Sequence, residues 1–74
     1  MDVGDIVRAL IDSFCYFMVV EQRSQEILTL LVISGLKGKE GTLVKITKAT
    51  GADVQKSFEF ECNGLRRYYT IENV

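Results

Sequence analysis

Apolar residues near the start of the chain fall at Val3, Ile6, Val7, Leu10, Ile11, Phe14, Phe17 and Met18. These are the i, i+3, i+4, i+7 steps of one helix face, with Asp5, Arg8, Ala9, Asp12 and Ser13 on the other side. Asp2 suits the N-cap, and Asp5 adds a carboxylate to the first turn, where the helix dipole favours negative charge. The spacing predicts an amphipathic helix from Val3 to about residue 13. Cys15-Tyr16-Phe17-Met18-Val19-Val20 is aromatic and β-branched, which suits a strand at least as well as a continuing helix. The polar run Glu21 to Glu26 breaks the pattern. Ile27 to Ile33 then follows almost without alternation, as expected of an element buried on both faces, and periodicity leaves its type open.

The second half is punctuated more clearly. Gly35, Gly38 and Gly41 predict a loop, and Thr42 to Thr50 a strand with Val44 and Ile46 on one face and Lys45 and Thr47 on the other. Gly51-Ala52-Asp53 is a predicted turn. Ser57 to Cys62 alternates strictly, Asn63-Gly64 follows, and Leu65 to Ile71 continues in β-rich residues. Asn-Gly between such runs is the strongest short-range hairpin signal, because a type I′ turn needs positive φ at both central residues. A two-residue loop pairs Cys62 with Leu65, Phe60 with Arg67 and Phe58 with Tyr69. The same register sets Glu61 opposite Arg66 and Glu59 opposite Tyr68 on the other face.

The predicted fold class is α+β: the N-terminal helix packed on an antiparallel sheet of three to five strands that ends in the Asn-Gly hairpin. If 14–21 and 26–34 are both strands, the layout is similar to that of Sm-like or SH3-like small barrels. If 14–33 is helical, the unit has two helices and three strands. The segment Ile46-Thr-Lys-Ala-Thr-Gly-Ala-Asp-Val-Gln-Lys56 resembles the turn of a helix-turn-helix. Gly64-Leu-Arg-Arg resembles the exit from a recognition helix into the wing of winged-helix regulators. That resemblance, over residues 27–67, implies a winged helix as the alternative fold and nucleic-acid binding as its function. The strict alternation of 57–62 and its poor helix formers favour the hairpin instead.

Composition narrows the function more than it names it. The chain has 74 residues, enough for one domain spanning 1–74, and 47 % of them are hydrophobic, as expected for a globular unit. It has no histidine, which removes the commonest general base and a favourite zinc ligand. Ser13, Ser24, Ser34 and Ser57 lie in no nucleophile motif, and Cys15 and Cys62 sit in unrelated apolar stretches. No enzyme activity, cofactor or metal site is therefore expected. Glu59 and Glu61 share a strand face and are expected to be solvated rather than catalytic. Gly35, Gly38 and Gly41 with Lys37 and Lys39 lack the spacing of a phosphate-binding loop.

Charge is nearly balanced, with nine Lys and Arg against ten Asp and Glu. Two of the cations and five of the acids precede residue 36, which leaves the second half mildly basic. Lys45, Lys48, Arg66 and Arg67 are the candidate nucleic-acid contacts, but this class of partner is not favoured at a net charge of −1. The acidic start does not read as a secretory signal, and no apolar run approaches the roughly 20 residues of a membrane span. Two scattered cysteines suit a reducing, cytoplasmic protein. The apolar stretches exceed what so short a chain buries within one copy. The expected function is a non-enzymatic, self-associating protein-interaction module, a homo-oligomer with a possible protein partner, meeting its neighbours through Phe14 to Val20 or Ile27 to Ile33.

Overall fold

The computed structural model describes residues 1–73, and these form a closed barrel of six antiparallel strands. The strands are β1 (Ile6–Leu10), β2 (Phe14–Gln22), β3 (Ile27–Ser34), β4 (Leu43–Lys48), β5 (Phe58–Cys62) and β6 (Leu65–Asn73). A short 3₁₀ helix, Gly51–Lys56, joins β4 to β5. Around the barrel the order is β1-β2-β3-β4-β6-β5, and β5 pairs back onto β1. Closure removes the free edges that would otherwise template aggregation.

The α+β expectation is overturned. Residues 3–13 hold no helix: their regular element is β1, with Val7 and Ala9 buried and Ile6, Arg8 and Leu10 outside. The helical spacing arose because Ile6 and Leu10 are apolar yet 52 % and 59 % exposed, which hides the period of two. The backbone partners that make 6–10 a strand come from β2 and from β5, half a hundred residues away. The winged-helix alternative fails as well, since 51–56 is a 3₁₀ turn and 58–62 is a strand. β3 is not buried on both faces either. Leu28, Leu30 and Val32 are buried inside, whereas Ile33 on the other side is 42 % exposed.

The core is the set of alternate, inward residues from all six strands. Phe17, Phe60 and Tyr69 form its aromatic centre, with Val7, Leu30 and Ile46 packed in the same cluster. No polar or charged side chain is buried among the described residues. The β2–β3 ladder shifts register twice, at Ile33 and at Val20, where one extra residue is inserted. Such bulges bend a strand and sharpen its twist, which helps a sheet of six strands curl into closure.

The β5–β6 hairpin forms in the register predicted from the sequence, Phe58 opposite Tyr69 through Cys62 opposite Leu65. Asn63 and Gly64 have φ of 53° and 83°, both positive as a type I′ turn requires. Gly64→Val puts a β-branched residue in this conformation at about 1–2 kcal/mol or more. At about 4–8 °C per kcal/mol for a domain of this size, a thermal melt followed by circular dichroism should show a clear drop. An unchanged midpoint would mean that the turn tolerates a side chain which this geometry excludes.

Candidate functional site

The outer wall of the barrel carries the feature that strand alternation alone would not produce. Ile6 stands opposite Met18, Met18 opposite Leu31, and Leu31 opposite Leu43. Directly opposed residues share a face, so these four apolar side chains form one row across β1, β2, β3 and β4. At about 4.8 Å per strand the row is roughly 15 Å wide. Along the strands the next outward pair is Arg8 with Tyr16, near exposed Ile33, and beyond it Leu10 opposes Phe14. Phe14 and Leu43 are 56 % and 44 % exposed.

Polar groups frame the Ile6–Met18–Leu31–Leu43 row. On one side Glu21, Thr29, Lys45 and Glu72 form a second cross-strand row. Within it the Thr29 hydroxyl donates to Glu21 Oε1 at 3.4 Å. On the other side Arg8 donates to Glu61 across the β1–β5 seam, with its guanidinium 5.0 Å from the centre of the Phe14 ring. The hydrogen bond to Glu61, reinforced by the carboxylate charge, raises the Arg8 pKa further above its ordinary value. An apolar row flanked by groups of both charge signs has the character of a protein interface.

The four candidate nucleic-acid residues are not gathered together. Lys45 lies on the outer wall opposite Glu72, and Arg66 lies on the outer wall of β6 with its Nε 3.8 Å from Glu59. Lys48 and Arg67 share the face of β4 and β6 that carries Ile46 and Tyr69. Both reach one mouth of the barrel, in a cleft of about 220 Å³ also lined by Asp2 and Asp5. The two carboxylates offset the two cations there. Tyr68 is outside beside Arg66, while Tyr69 is buried.

Both cysteines are free and buried. Burial pushes the Cys62 thiol up, and the neighbouring Asp5 carboxylate, whose Oδ2 accepts from Sγ at 3.7 Å, adds to the effect. A thiol shifted in that direction is a poor nucleophile at neutral pH. Burial likewise raises the Tyr69 hydroxyl, opposed by nearby Arg67. Among the described residues no three Cys, Asp or Glu side chains cluster as metal ligands, and no helix is long and apolar enough to cross a membrane.

Met18 and Leu31, the middle of the outer row, were hidden in the sequence within two runs, 14–20 and 27–33, that lack alternation. Once both are strands, that lack means apolar residues on both faces. No protein-family model, curated protein or solved structure matches this chain.

Proposed function

We propose that this protein is a non-enzymatic interaction module of a reducing, cytoplasmic compartment that self-associates through the outer wall of β1 to β4. The observation that carries the reading is the unbroken row Ile6–Met18–Leu31–Leu43. A second copy of the chain is the partner that suits it. A two-fold axis between Met18 and Leu31 lays the row on itself, with Ile6 of one copy over Leu43 of the other, the self-matching that an isologous dimer needs. A standard interface takes about 800 Å² from each partner. That is about a sixth of this chain's 4901 Å² surface, within the reach of four outer strand faces. The two free, buried thiols support the compartment.

Sedimentation equilibrium at micromolar concentration tests the proposal, and a dimer or larger assembly is expected. Ile6→Lys and Leu43→Glu should each weaken association by about tenfold or more while the circular dichroism spectrum is unchanged, and the double variant should recover it. A monomer across a wide concentration range overturns the reading. Nucleic acid should bind no tighter than about 10⁻⁶ M at physiological salt, because the cations are dispersed. Sub-micromolar binding that Arg66→Glu with Arg67→Glu abolishes would replace this function with a nucleic-acid-binding one.

A further inference from the structure

The mouth of the barrel away from Lys48 and Arg67 is apolar. Ile11, Phe17, Leu36, Val44, Phe58 and Ile71 line a pocket of about 250 Å³ there, and the one charged residue that borders it is exposed Lys39. That lies below the roughly 300–1,000 Å³ of sites for drug-sized ligands, so the occupant is small. The β3–β4 turn that carries Lys39 is tied down by its own backbone. The Lys39 N–H donates to the Leu36 carbonyl at 2.9 Å, and the Lys39 carbonyl accepts from the Thr42 hydroxyl at 2.6 Å and from its N–H at 3.0 Å. Gly41 N–H donates to the Val32 carbonyl at 2.8 Å, which anchors the turn to the end of β3. Lys39 makes no ion pair among the described residues.

A small-molecule site is mostly apolar, with a few placed polar groups that fix orientation. Here the one candidate is the cationic Lys39 at the border, on a turn whose backbone is held in advance. A wholly apolar ligand would leave the ammonium unused. A phosphate would bring more charge than one lysine balances and no apolar body for Leu36 and Phe58. We propose that this mouth binds a small amphipathic monoanion, a medium-chain or single-ring carboxylate. Its apolar body packs against Leu36, Phe58 and Ile71, and its carboxylate meets the Lys39 ammonium at the rim. The site is separate from the β1–β4 wall and does not depend on self-association.

Titration of the full chain with sodium hexanoate and sodium benzoate, followed by ¹⁵N–¹H correlation spectra, tests the proposal, with hexanol and benzyl alcohol as neutral counterparts. Saturable shifts are expected at Ile11, Leu36 to Lys39, Phe58 and Ile71. Each acid should bind about tenfold more tightly than its alcohol, the usual gain from one charge-assisted hydrogen bond. Lys39→Gln, at an exposed position, should abolish the preference for acid over alcohol. Equal binding of acid and alcohol by the wild type, shifts confined to the outer wall, or no saturable shift up to the solubility of the probes would overturn it.

Discussion

Phe60→Ala is expected to cost the barrel about 3–5 kcal/mol, the usual range for deleting a buried aromatic ring. A 74-residue domain has about 4–11 kcal/mol in total at 0.05–0.15 kcal/mol per residue, so the variant should be barely folded. Phe60 is 1 % exposed and belongs to three contacts at once. Its ring lies 5.8 Å from Phe17 at 54° and 5.7 Å from Tyr69 nearly edge-on at 84°. Aromatic pairs in such tilted and edge-on arrangements contribute about 0.5–1.5 kcal/mol beyond the area they bury. Phe60 also stands opposite Ala9 in the β1–β5 seam, where the registered pairs are this one and Arg8 with Glu61. The deletion therefore opens a cavity beside the shortest ladder in the barrel. Urea unfolding should show a much lower midpoint, and Phe60→Leu should retain more than half of the lost stability. A loss below about 1 kcal/mol for alanine would mean that this ring is not at the centre of the core.

Gly35→Ala should be the most damaging of the glycine substitutions. Gly35 has φ of +95°, and a Cβ there would lie 2.4 Å from the Phe14 carbonyl oxygen and 2.6 Å from Cys15 Cα. Both obstacles are backbone, so no rotamer change relieves them. The strand end must move away from β2, which disturbs the packing around buried Cys15. Gly38 is the internal control: its φ is +82°, but a Cβ there meets nothing within 4 Å. Gly38→Ala should show only the conformational cost of about 1–2 kcal/mol. Gly35→Ala should exceed it by a margin that thermal melts resolve at about 4–8 °C per kcal/mol. Equal losses for the two variants would show that β3 does not approach β2 as closely as described.

What the sequence determined by itself is the structure that depends on neighbours in the chain. Asn63-Gly64 specifies its own turn, and the alternation on either side sets the β5–β6 register without reference to any other strand. Val44 and Ile46 alternate with Lys45 and Thr47, so β4 could be read, and three glycines marked the β3–β4 turn. The absence of histidine and of any nucleophile motif was likewise open to view, because it needs no geometry. β1 was not legible. Its Ile6 and Leu10 are apolar on the outside, so the local pattern matched a helix better than a strand. Only pairing with β2 and β5 decides the matter, because those two ladders satisfy backbone groups that a helix would satisfy within itself. The outer apolar row and the Lys39 pocket were hidden for the same reason. Each is assembled from residues on four or more elements, and which of them become neighbours is set by cross-strand register and barrel closure, which local sequence does not encode.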